Sequence, residues 1–197
     1  MLVVDEQSNE NNSEMKKEKI EALKHKRLKL QEEVRQKAIR ERVATQISFL
    51  EQSGEPYSVY YDSEHLNWID SNVRTRNRDG YNGIHGDFQI DVMDAAAQNS
   101  YTIKEEEIDA EVFKHHFLEC ITADRLIVCY QGGDPELDIP VRAFINRPTV
   151  FFANPETWLL TTDKQWLIEY IWEQGVIRFI RVQDSNPILE TVIVLGG

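Results

Sequence analysis

Three groups of residues in this chain have side chains and spacings suited to chemistry. His116 and Cys120 stand four apart in a stretch with helical spacing, next to His115. From one helix face both could ligate a single metal ion. The same face carries Phe113 and Phe117, and no third ligand lies nearby in sequence. A core-edge histidine beside a buried thiol is therefore the preferred reading.

Asp87, Asp91 and Asp94 surround the alternating run FQIDVMD, behind a glycine-rich stretch that contains His85. Carboxylates at a strand end beside a loop suit Mg²⁺ and phosphoryl-transfer or nuclease chemistry. Asp87 and Asp91 share a strand face while Asp94 points to the other, and no Glu-x-Lys partner strand accompanies them. The solvated face of a half-buried strand explains the pattern more simply.

Arg74, Arg76 and Arg78 recur at period two, followed by Tyr81 and His85. In an extended loop the three guanidinium groups line one side and could grip a phosphate or an acidic partner. A loop whose arginines offset an acidic body is the competing reading, and the two stand level. No phosphate-cradling glycine motif, nucleophile elbow or H-E-x-x-H stretch is present, so nothing in the sequence argues for an enzyme.

The elements that must position these groups begin with Lys16–Gln52, a stretch free of Pro and Gly and rich in helix formers. Residues 16–42 hold 11 basic and 5 acidic side chains, whereas residues 43–197 hold 11 basic and 25 acidic, a net −14. Lys24, Lys26, Arg27, Lys29 and Arg35 are the candidate contacts on this basic helix. Ile39, Val43, Ile47 and Leu50 form a 4-4-3 stripe that predicts docking of the last turns on the body. Leu28, Ile39 and Leu50 fall eleven apart, as do Leu23 and Val34, and no heptad seam persists for three heptads. Ser53-Gly54 supplies the stop. The first fifteen residues lack periodicity and are expected to be disordered.

Beyond Gly54, YSVYY (57–61) predicts a strand and EHLNWID a short helix. Glu105–Ile121 predicts a helix with Ala110, Phe113, Phe117 and Ile121 on one side. RLIVCYQ predicts a buried strand, and DIPVRAFI and TVFF predict extended segments. Thr162-Asp163-Lys164-Gln165 reads as a capping box that opens a helix over WLIEYIW, ended by Gly175. VIRFIRV and ILETVIVL predict a hairpin with a five-residue connection.

The expected fold class is α+β: a mixed or mainly antiparallel sheet packed with two or three helices, preceded by a long charged N-terminal α-helix. The expected organisation is an acidic tail (1–15), a basic helix (16–53) and an acidic globular domain (54–197). The chain has 197 residues and a net charge of −12. With no signal-type segment and only Cys120 and Cys129, it reads as soluble and cytoplasmic.

Such a chain fits best a non-enzymatic protein-binding regulator, of the immunity or anti-defence type. Its acidic body would dock on a basic macromolecule, with the helix used for dimerisation over 16–52 or to extend the interface. No cofactor, metal or membrane enters this reading. The alternatives are a nucleic-acid binder using the basic helix and the Arg74/Arg76/Arg78 loop, and a metal-dependent phosphoryl-transfer enzyme using Asp87/Asp91.

Overall fold

A computed structural model describes residues 6–74, 100–130, 133–152, 156–171, 175–183 and 186–196. The chain divides into two compact units, Met1–Glu41 and Arg42–Gly197.

The first unit holds helix α1 (Glu6–Glu41). It begins within the stretch read as an acidic tail. Once a helix is nucleated, extension costs little. The single helix predicted over 16–52 is interrupted at Arg42-Val43, and α2 (Ala44–Ser53) resumes in the second unit. Val43, Ile47 and Leu50 are buried in the core, as the stripe predicts, and Gln46 Nε2 donates to the Val150 carbonyl at 3.0 Å. Gly54 ends α2 with φ 68°; its N–H reaches Glu51 O at 3.2 Å and the Glu55 N–H reaches Leu50 O at 3.0 Å. A side chain meets no atom within 4 Å there, so only the left-handed backbone resists it. Gly54→Ala is therefore expected to cost about 1 kcal/mol in urea unfolding, with the native spectrum retained.

The second unit is built on an eight-stranded sheet: β1 (Ser58–Tyr60), β2 (Ser100–Lys104), β3 (Arg125–Tyr130), β4 (Gly133–Pro140), β5 (Glu156–Thr161), β6 (Trp166–Ile171), β7 (Val176–Gln183) and β8 (Asn186–Gly196). The order is β1-β4-β3-β5-β6-β7-β8-β2. All neighbours are antiparallel except β2 and β8, which pair in parallel from Ser100↔Val192 to Lys104↔Gly196. The fold is α+β with a mixed sheet.

One face of the sheet is covered by α2, α4 (Glu111–Cys120), α5 (Val141–Asn146) and α6 (Pro148–Phe151), with α3 (Glu64–Ile69) on the other face. Phe113 and Phe117 of α4 are fully buried. They meet Phe144 at 6.4 and 4.9 Å between ring centroids and Phe179 at 6.5 and 6.1 Å. Such tilted and edge-to-face rings add to the gain from burial alone. The opposite face buries Ile127, Trp158, Leu160, Leu167, Ile180 and Val192 under Ile69 of α3 and Val73 of the π-helical turn that follows it (Asp70–Arg74).

Several local expectations are corrected. WLIEYI is the strand β6, not a helix: Leu167, Glu169 and Ile171 alternate with Ile168 and Tyr170 between two buried faces, and a doubly buried strand is apolar throughout. The supposed capping box is the β5–β6 turn, in which Asp163 Oδ1 accepts from Thr161 Oγ1 at 2.6 Å and from the Gln165 N–H at 3.1 Å. Gly175 turns the chain between β6 and β7 with φ 59°. Within DIPVRAFI, Pro140 closes β4 and stands at the N-cap of α5, while Pro148 opens α6 across TVF. The last hairpin is tighter than expected, its register running through Gln183↔Asn186. FQIDVMD lies outside the described residues.

Candidate functional site

On α1, Lys24, Lys26, Arg27 and Lys29 are exposed and make no ion pair among the described residues. Arg35 differs: its Nε and one terminal nitrogen donate to the two carboxylate oxygens of Glu32 at 3.0 and 2.9 Å. Those bonds, with a further one from Gln36, hold the Glu32 carboxyl below its ordinary pKa. Lys16, Lys17 and Lys19 are exposed in the same way, so the positive charge outside ion pairs extends over residues 16–29. Arg74 ends the π-helical turn, and Arg76, Arg78, Tyr81, His85, Asp87, Asp91 and Asp94 lie outside the described residues.

Acidic side chains of the body cluster at an exposed turn. β2 runs directly into a 3₁₀ turn, Glu105–Glu107, and α4 opens at Glu111. Glu105, Glu106, Glu107 and Glu111 are all exposed; Glu111 accepts from Lys114 Nζ at 3.2 Å and Glu106 lies 3.9 Å from Lys104 Nζ. The turn is held in place from beneath. Ile108 is buried, Glu107 accepts the Lys104 N–H at 2.8 Å, and Asp109 accepts the Thr149 N–H and hydroxyl at 3.0 and 2.7 Å. An acidic surface on a fixed backbone is suited to steering and orienting a basic partner.

His116 and Cys120 are brought together, with Nε2 and Sγ 3.8 Å apart. The imidazole meets the Tyr101 and Phe179 rings edge-on at 5.2 and 5.0 Å. Burial pushes the His116 pKa down and the Cys120 thiol up, with Glu119 adding to the second shift. A protonated thiol is a poor nucleophile and must lose its proton before it can bind metal. Among the described residues no three His, Cys, Asp or Glu side chains converge as a metal site.

The structure also assembles polar groups that sequence reasoning missed. Glu136, Cys129, Trp158, Glu169 and Arg178 come from five adjacent strands and all belong to the α3 side of the sheet. The fully buried Glu136 carboxylate accepts the Leu66 N–H at 2.8 Å, the His65 N–H at 3.3 Å and His65 Nδ1 at 2.6 Å. Burial, with Glu136 as the nearest charge, pushes the Cys129 thiol well above its ordinary range. Further along, Trp158 Nε1 donates to Glu169 Oε1 at 3.0 Å and Arg178 donates to Glu169 Oε2 at 3.2 Å. These groups order the fold: Glu136 anchors the first turn of α3, and Glu169 joins three strands. The one sequence signal was a single charged residue inside each of WLIEYIW and VIRFI.

A cleft of about 550 Å³ opens at the far end of β3 and β4, lined among others by Leu118, Ile121, Arg125, Val141 and Arg142. Its arginines are already engaged, Arg125 Nε with Asp138 at 2.7 Å and Arg142 Nε with Glu55 at 2.8 Å. No helix among the described residues is long and apolar enough to cross a membrane. No family model, curated protein or solved structure matches this chain.

Proposed function

We propose that this protein is a non-enzymatic regulator that binds another protein, as an immunity-type or anti-defence inhibitor does, its acidic body docking on a basic macromolecular partner. The observation that supports this reading most is the exposed turn Glu105–Glu107 with Glu111 beside it, fixed by Asp109 and Ile108. A partner with a matching basic surface would be drawn in by long-range attraction and oriented by the turn. The N-terminal helix serves self-association or extends the interface.

The test is affinity capture from the native cell with the wild-type chain and with Glu105→Lys/Glu106→Lys/Glu111→Lys. The wild type is expected to retain a basic protein that elutes with salt. The triple variant should bind it at least about tenfold more weakly with its melting temperature unchanged. Equal capture by both chains would remove the acidic turn from the interface and this reading with it.

A second reading has its own support in the exposed lysines of residues 24–29: α1 binds nucleic acid through phosphate contacts. Mixed RNA and DNA would then shift at low salt, and Lys24→Gln/Lys26→Gln/Lys29→Gln would abolish the shift.

A further inference from the structure

α1 is the one described element of its unit, yet it carries large aliphatic side chains that are mostly in solvent: Ile20 53%, Leu23 66%, Leu30 52% and Val34 68% exposed. Helices draw most of their stability from packing an apolar face, and α1 has no such cover within its unit. The side-chain geometry also separates the two periodicities in the sequence. Leu23, Lys26, Arg27, Leu30, Gln31 and Val34 line one groove, and Leu28 is not part of it. With Ile20 the seam steps 3-4-3-4 through Ile20, Leu23, Arg27, Leu30 and Val34, which is the spacing of a two-helix contact.

We propose that α1 pairs with α1 of a second copy of this chain in antiparallel orientation, Leu23 of each helix against Val34 of the other. The proposal deepens the self-association reading given above and rests on it; the docking of the acidic body is independent of it.

Charge selects both the occupant and its direction. Residues 16–30 carry seven basic and two acidic side chains, whereas residues 31–41 carry three of each. A parallel pair would stack the basic halves, placing Arg27 on Arg27 and Lys19 beside Lys24 of the other copy. Reversing one helix sets each basic half against the balanced half. Leu30 then covers Arg27, Lys26 meets Glu33, and Lys16 meets Glu41; Lys19 against Arg40 is the one like-charge contact left along the seam. Reversal also carries the two helix C-termini apart. Each leads into a segment of net −14, and with the centre of the pair between residues 28 and 29 they stand about 40 Å from one another at 1.5 Å per residue. That is several screening lengths at physiological salt.

The test uses the full chain. Sedimentation velocity across a concentration series is expected to show a dimer. Leu23→Glu/Leu30→Glu should weaken association at least about a hundredfold, because four buried leucines are lost per dimer. Arg27→Leu should tighten it about tenfold, because it removes a charge from the seam. Direction is read by oxidative cross-linking in a Cys120→Ser background, Cys129 being buried. Leu23→Cys/Val34→Cys together are expected to give a covalent dimer, and either one alone is not. A monomer at every concentration, a dimer that Leu23→Glu/Leu30→Glu leaves intact, or efficient cross-linking by a single cysteine would each overturn the proposal. Because partner capture by the acidic turn is scored separately, a monomer that still captures its partner removes this inference alone.

Discussion

Glu169→Leu is expected to lower the unfolding free energy by about 3–5 kcal/mol, because it leaves the buried Arg178 guanidinium without its carboxylate. Both residues are almost fully buried in the middle of the sheet, on β6 and β7 at the paired position Glu169↔Arg178. The indole N–H of Trp158, opposite Glu169 on β5, loses its acceptor in the same step. A buried donor that cannot reach water costs more than the bond contributed. The companion experiment decides between charge and shape. Glu169→Leu/Arg178→Met removes both charges while keeping the volume filled, and buried pairs replaced in this way are often neutral or better. Urea denaturation should therefore place the double variant within about 1–2 kcal/mol of wild type, well above the single one. If Glu169→Leu alone proves mild, the pair is not what holds β5, β6 and β7 in register.

Glu136→Ala is expected to cost about 3–5 kcal/mol as well, by a different route. This carboxylate satisfies two backbone N–H groups in the first turn of α3 and one ring nitrogen of His65. A six-residue helix has little stability of its own, so its position on the sheet depends on such an anchor. Hydrogen exchange should accelerate at Leu66–Ile69 well before the rest of the sheet opens. His65→Ala should cost less, since the amide bonds to Glu136 remain. Protection of α3 that is unchanged in Glu136→Ala would show that Ile69 and Val73 suffice to hold it.

These two carboxylates also mark where sequence reading stopped. Stripes with one wet side were legible: Val43 just before α2, Ile47 and Leu50 on it, and Phe113 and Phe117 on α4 are buried as their spacing predicts. RLIVCYQ and the last hairpin were legible through β-branched and aromatic density bounded by turns. WLIEYIW was not, because a strand covered on both faces and a helix buried all round are equally apolar, and periodicity cannot separate them. Two observations carry the correction: it is only seven residues long, and Asp163 closes a turn with Thr161 rather than capping a helix. SYTIK was missed as β2 because its pairing with β8 is long-range and parallel, which no local pattern encodes. The same holds for Glu136 with His65: the partners are 71 positions apart, and only the fold makes them neighbours. The basic residues of α1 were legible as a charge block, while the groove shared by Leu23, Leu30 and Val34 was needed to set these residues apart from Leu28.

The pairing of β2 with β8 sets the order in which the sheet can be assembled. Ser100 meets Val192, so about ninety residues must be closed into a loop, against a handful for the β6–β7 and β7–β8 hairpins. For an otherwise unstructured chain that difference is about 3 kcal/mol of closure entropy. On a nascent chain the meander from β5 to β8 is therefore expected to form first, with β2 on β8, like β1 on β4, adding late. Until β2 adds, β8 presents an unpaired edge, the kind of surface on which newly made chains aggregate.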